Sequence, residues 1–243
     1  MTMAPTMQLA GPAEQPLTNE LAVIAELVPM QGVRLLELGC GGAEKTRQIA
    51  ETMAVTEIVA AEVDQVAHRR NLAVTDLPQV RFRSFGAEAI AEPDNSFDVV
   101  MMFKSLHHVP LAHLDTALAE IARVLRPGGL AYISEPVFAG AFNEVMRVFH
   151  DEEVVRQAAF DALVRAVSSG LFVLEHQRFF RNQVRFASWD QYERGILNVT
   201  HTEHNLSPAQ LAEVKRRFCE HESDAGYVFE IPNRVDLLRK PGD

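Results

Sequence analysis

The stretch Val33–Thr46, VRLLELGCGGAEKT, constrains the fold more than any other part of the chain. Val33, Leu35, Leu36 and Leu38 form a short apolar run, with Gly32 before it and a glycine cluster after it. A run of that length between turn residues reads as a strand buried on both faces, as inside a parallel sheet. Gly39, Gly41 and Gly42 let the backbone turn sharply, and a helix is expected from Ala43 to Met53. Strand, glycine turn and helix place a ligand at the carboxyl edge of a parallel sheet, facing a helix N-terminus. The expected site is of nucleotide type.

The spacing narrows the ligand. A dinucleotide fingerprint, G-x-G-x-x-G counted from Gly39, puts Glu44 at the sixth position. A carboxylate there crowds the helix–strand contact and repels a pyrophosphate. Glu37, two residues before the first glycine, also sits poorly beside phosphates and suits a ligand carrying an ammonium and a sulfonium. The segment ELGCGGA resembles the E/D-x-G-x-G-x-G motif of class I S-adenosylmethionine-dependent methyltransferases, with Ala43 in place of the last glycine. That resemblance makes Glu37, Gly39, Cys40 and Gly41 cofactor-binding candidates.

The following segments extend it. Ile58–Ala61 reads as a second strand ending at Glu62, Val63 and Asp64. An acidic residue at this distance from the first strand chelates a ribose diol in nucleotide folds, two hydroxyl donors meeting two carboxylate oxygens. Glu62 is preferred over Asp64 through its resemblance to the family's corresponding segment, and the other carboxylate is expected to open a helix. Val80–Phe82 is a third strand, and Gly86-Ala87-Glu88 after it resembles the segment that cradles the adenine. The Asp expected there is Gly86 in this chain, so Ala87 supplies a backbone amide and Glu88 stands as the substitute carboxylate. Phe97–Met102 is a fourth strand, opening through Phe103 and Lys104 toward the cofactor.

The stretch SFDVVMMFKSLHHV, then ALAEIARVLRPGGLAYISEP, resembles the type 11 branch of the family almost continuously. Between them Leu114, Leu118, Ile121, Ala122 and Leu125 mark one apolar stripe of a helix, stopped by Arg126-Pro127-Gly128-Gly129 before a strand over Leu130–Ser134. The implied fold is α/β, a three-layer α-β-α doubly wound sheet, mostly parallel, with an antiparallel closing strand near the C-terminus. Residues 1–16 read as a mobile N-terminal arm and 17–243 as a single domain. Within it, 30–136 bind the cofactor and 137–205 form a helical lid that sets specificity.

In the last third, strands are expected over 171–174, 179–186, 227–231 and 235–238, a short helix over 189–197, and a helix capped by Ser207. Catalytic candidates are His107, Glu135, His150 and Tyr192, each at a loop or in the lid; His108 reads as structural. No metal site is expected, because the two cysteines, Cys40 and Cys219, show no ligand spacing. A formal charge of −10 disfavours nucleic acid or an anionic membrane as partner. No apolar run reaches a membrane span, and the N-terminus lacks the pattern of a signal peptide, so a cytoplasmic protein is expected. The oligomeric state is open, with a homodimer possible.

The implied activity is S-adenosylmethionine-dependent methylation of a small molecule. A non-catalytic cofactor-binding partner or regulator of the same fold is the alternative, suggested by Gly86. A nicotinamide oxidoreductase is disfavoured by Glu37 and Glu44.

Overall fold

Apolar runs bounded by glycine and proline become the strands of one sheet, and the amphipathic segments between them become its covering helices. The computed structural model describes residues 6–197 and 205–242. Along the chain lie α1 (Glu20–Leu27), β1 (Arg34–Leu38), α2 (Glu44–Thr52), β2 (Glu57–Ala61), α3 (Gln65–Asn71), β3 (Val80–Arg83) and β4 (Phe97–Phe103). Then come α4 (Leu114–Val124), β5 (Leu125–Pro136), α5 (Ala141–Met146), α6 (Glu153–Ser168), β6 (Val173–Phe186), α7 (Trp189–Tyr192), α8 (Pro208–Cys219), β7 (Glu222–Ser223) and β8 (Gly226–Arg239).

The sheet order is β3-β2-β1-β4-β5-β8-β6, with the short β7 paired to β8. The first five strands are parallel, and β8 runs antiparallel to both β5 and β6. Side chains of β1 alternate between two cores. Leu36 and Leu38 pack with Ala117, Leu118 and Ile121 of α4 and with Ala162 and Leu163 of α6. Leu35 packs on the other face with Val23 and Ile24 of α1 and Ile49 of α2. Aliphatic burial on both faces is what makes β1 a central strand.

The closing hairpin differs in extent from its sequence expectation. β5 pairs with β8 only from Leu130↔Arg239 to Pro136↔Asn233, whereas β6 follows β8 from Val173↔Arg239 to Phe186↔Tyr227. The runs expected as separate short strands are therefore continuous. The polar residues Glu175 to Arg178 do not break β6, because an edge strand finds partners for them: Arg239 Nε donates to Glu175 and Gln177 Nε2 to Asp236, at 2.6 and 2.7 Å.

The outer half of this hairpin passes the carboxyl end of β5 and carries a third cluster. Val145 of α5, Tyr192 of α7, and Val214 and Phe218 of α8 pack there on Phe186 and Phe229. This cap includes α8, which lies beyond the segment expected as a lid. Conversely, α6, inside that segment, belongs to the sheet core. Residues 198–204 of the expected lid lie outside the described residues.

The expected N-terminal arm is docked where it is described; residues 1–5 lie outside the described residues. Arg181 N–H donates to Pro16 O and Thr18 N–H to Arg181 O, each at 2.9 Å, so the arm adds main-chain bonds along β6. Gln8 N–H donates to Gln177 Oε1 at 2.8 Å. Backbone pairing to a free sheet edge holds a segment that its Pro- and Gly-containing sequence marks as loose. Among the described residues no helix is long and apolar enough to cross a membrane.

Candidate functional site

The glycine turn after β1 fixes the site. Gly39 has φ +72°, and a Cβ there would lie 2.7 Å from the Cβ of Ser105. The loop after β4 thus rests directly on the turn, tied by Ser105 Oγ donating to Leu38 O at 2.9 Å. Ala43, standing where the motif has glycine, also takes a left-handed conformation (φ +62°). That costs an L-residue on the order of 1–2 kcal/mol.

Glu62, 7% exposed, fastens the turn from the end of β2. Its carboxylate accepts from Gly41 N–H at 2.6 Å and from Asp64 N–H at 2.8 Å. Asp64 acts differently, as the N-cap of α3, accepting from Val66 N–H at 2.7 Å. The carboxylate expected to open a helix is Asp64.

Above the turn lies a cavity of about 590 Å³. Glu37, Gly39, Cys40 and Gly41 line its floor, Phe103 and Lys104 one wall, and Asn19 and Glu20 another. Lys45 of α2, with Asn182 and Gln183 of β6, completes the rim. Glu37 is 2% exposed, and one of its oxygens accepts from Thr46 Oγ1 at 2.7 Å. Burial pushes this carboxyl up to about 7, against the pull of Thr46 and Lys45. A buried carboxyl that lines a cavity and has only one oxygen bonded to a side chain is favoured in its charged form by a cation arriving beside it. Lys104 stands in a left-handed conformation (φ +53°), and desolvation holds its amine below the usual lysine value despite the nearby Glu20. Glu20 is itself buried and accepts from Tyr132 OH at 2.6 Å.

Gly86, Ala87 and Glu88 follow β3, and neither they nor Glu62 line this cavity. Ala87 is buried. A Cβ on Gly86 would fall 2.4 Å from Glu88 Oε2, so the Glu88 carboxylate occupies the space where a side chain at position 86 would begin. Val63 is 61% exposed.

The loop after β4 and the end of β5 build a second feature. His107 is 4% exposed, and its Nδ1 is hydrogen-bonded to Glu135 Oε2. The other oxygen of Glu135 accepts from Leu106 N–H at 2.9 Å. His107 Nε2 faces Glu152 Oε1 at 3.4 Å, and Glu152 also meets His150 Nε2 at 2.8 Å and Arg156 Nη2 at 2.6 Å. Burial works to lower His107, but the carboxylates of Glu135 and Glu152 outweigh it and hold the imidazole up at about 9. Glu135 and Glu152 are both held low, since His107 overcomes their own burial.

His108, expected to be structural, is not the packed histidine of the pair. His107 is the buried, networked one, and His108 is exposed, its ring tilted at 46° to that of His107 with centroids 4.1 Å apart. His107, Glu135 and His150 come together, whereas Tyr192 does not join them. It is fully buried in the cap, its hydroxyl 3.7 Å from Met146 Sδ. Sequence reasoning passes over Glu152, Arg156 and Thr46. Glu152 sits in the acidic run Asp151-Glu152-Glu153, which by itself reads only as a helix start.

Residues 36–133 match the family model described as a methyltransferase domain, of the type 11 series. A ubiquinone biosynthesis O-methyltransferase of Sinorhizobium medicae is 29% identical over 171 residues, 63% of this chain and 66% of that protein. The chain spans 41% to 66% of the length of the curated relatives of this name that it matches. Among solved structures, the YcgJ protein of Bacillus subtilis superposes with a TM-score of 0.66 at 15% identity, over 92% of this chain and 98% of that one. An S-adenosylmethionine-dependent methyltransferase from Methanosarcina mazei gives 0.56 at 16% identity, over 91% and 98%. At such identities the structural likeness carries the fold alone.

Proposed function

We propose that this chain, whose residues 36–133 match the methyltransferase-domain model, is a class I S-adenosylmethionine-dependent methyltransferase of the type 11 branch that transfers a methyl group to an oxygen of a small-molecule acceptor. The observation that carries the reading is Glu37, a dry carboxyl at the floor of a cavity that also holds Lys45 and Lys104. Carboxylate and ammonium groups around one cavity suit a ligand whose end is an amino acid. S-adenosylmethionine, when bound, supplies a methyl group activated by its sulfonium, which leaves as a neutral thioether.

The residues present fit that donor. Glu37 would take the ammonium, and Glu62, anchored by two backbone amides, would keep lone pairs for a ribose diol. Glu88, lying over Gly86, would offer the adenine the carboxylate that position 86 lacks. The chain's remaining work is to hold an acceptor oxygen in line with the methyl group and to keep water out. The cap formed by α5, α7, α8 and the hairpin is the element suited to that work, and the acceptor's specificity resides there. An oxygen acceptor follows the relatives named O-methyltransferases. A cytoplasmic location remains part of this proposal.

Thermal unfolding with S-adenosylmethionine, S-adenosylhomocysteine and NADH, on wild type and Glu62→Ala, tests the reading. Either sulfur ligand at about 100 times its dissociation constant stabilises wild type by roughly 2.7 kcal/mol, and Glu62→Ala much less. NADH gives no shift. Ligand binding without methyl transfer to any phenol or catechol panel would favour a non-catalytic binding protein. A shift with NADH alone would overturn the family-based choice of cofactor.

A further inference from the structure

We infer that His107, His108 and Glu152 form a binding site for a divalent transition-metal ion, with Glu135 as the group that orients His107. Each of the three offers one ligand atom, and these atoms lie within 4.8 Å of one another. They come from two separate elements, the loop after β4 and the start of α6, so the fold and not the sequence spacing assembles the set.

His107 is the pivot. In the metal-free protein both ring nitrogens of His107 face carboxylates, Nδ1 toward Glu135 and Nε2 toward Glu152. A metal ion displaces the Nε2 proton, and Glu135 keeps the remaining N–H on Nδ1, which leaves the Nε2 lone pair for the metal. Carboxylate, histidine and open lone pair in this order are how proteins prepare a metal ligand, the carboxylate fixing tautomer and ring orientation. Glu135 is well braced to do this, since its other oxygen accepts from Leu106 N–H.

The spacing agrees. His107 Nε2 and Glu152 Oε1 are 3.4 Å apart, longer than a good N–H···O bond. Two ligands bound to zinc at about 2.1 Å in tetrahedral geometry lie about 3.4 Å from each other. Two positively charged or proton-bearing groups already meet Glu152: Arg156 on Oε2 and His150 on Oε1. Arg156 leaves Oε1 as the metal-facing oxygen, and His150 must share or yield it. His108 is exposed, so it supplies both the way in and the ligand that swings to close the site. Two imidazole nitrogens and one carboxylate oxygen select Zn²⁺ or Co²⁺ over Mg²⁺ and Ca²⁺, which prefer all-oxygen sets. A fourth position stays open to water or an anionic oxygen.

The inference does not depend on methyl transfer and is read by metal binding alone. Chelator-stripped protein is titrated with Zn²⁺ against a chromophoric competitor, and with Co²⁺ followed by its visible absorption. One Zn²⁺ per chain is expected, with Co²⁺ giving the intense bands of a tetrahedral site and Mg²⁺ failing to compete. His107→Gln and Glu152→Gln weaken Zn²⁺ binding at least 100-fold, and Glu135→Gln 10- to 100-fold. His108→Gln, at an exposed position, keeps the wild-type unfolding midpoint in chelator yet weakens binding at least tenfold. Zn²⁺ affinity within threefold of wild type in both His108→Gln and Glu152→Gln would overturn the site, as would wild type that binds no Zn²⁺.

Discussion

The sheet and the cap are held together by different kinds of side chain. Both faces of the sheet are lined mainly by Leu, Ile, Val, Ala and Met, whereas the cap is centred on rings. Phe218 alone lies 4.6 Å from Tyr192, 4.4 Å from Tyr227 and 5.6 Å from Trp189 and Phe229, centroid to centroid. Branched aliphatic chains on a repeating pleat lock register and leave little room to vary. A cluster of rings on short helices can be rebuilt around a new acceptor while the sheet below is unchanged. The floor of the proposed cofactor cavity belongs to the first kind of packing and the proposed acceptor roof to the second.

The sharpest way to break that division is Phe218→Ala. The ring is fully buried, and its removal should cost about 3–5 kcal/mol in denaturant unfolding. None of its ring partners lines the 590 Å³ cavity, so S-adenosylmethionine affinity of the folded protein should change less than threefold. A tenfold loss would mean that cap and cofactor floor are one cooperative unit.

The next effect belongs to the sheet side. Glu37 is raised from 4.5 to about 7, so the folded state keeps its proton where the unfolded chain has lost it. Stability contributed by the neutral form is present below about pH 4.5 and is lost as pH rises toward 7. The penalty for ionising the buried group is on the order of 3 kcal/mol above that. Glu37→Gln should therefore gain stability over wild type at pH 8 and gain nothing at pH 4, while cofactor affinity falls. Equal stability differences at both values would show that the floor is wetter than its burial implies.

The same division explains how much can be read from residue order. The β1 strand and its turn are legible because burial on both faces leaves an unbroken apolar run, and glycines mark the turn that follows. Glu37, Gly39, Cys40 and Gly41 stand together at the cavity, as does the Phe103–Lys104 pair. The capping role of Ser207 is legible too, since a cap is a local interaction. The hairpin misleads at Glu175–Arg178 and at Pro232–Asn233, where polarity and a proline imitate loops. In the structure the first is an edge strand with paired charges, and the second marks the point where β5 stops pairing. The His107–Glu152 approach is illegible for another reason. It joins two elements through a tertiary contact, and no local pattern encodes the distance between them.

The smallest effects compare one interaction in both regions. Asn19 caps α1, its Oδ1 accepting from Ala22 N–H at 3.0 Å, and Ser207 caps α8 in a capping box with Gln210. Replacing either by Ala should cost about 1 kcal/mol, because each leaves one helix N–H without its acceptor. The two variants should nevertheless part company on ligand. Asn19 lines the cavity, and the start of α1 also carries Glu20, which holds Tyr132 from within that wall. Loosening that turn should weaken S-adenosylmethionine severalfold, read by calorimetric titration, whereas Ser207→Ala should leave its affinity untouched. Equal losses in both variants would mean that α8 braces the cofactor wall, and the separation between a fixed floor and an adjustable roof would fail at its most sensitive point.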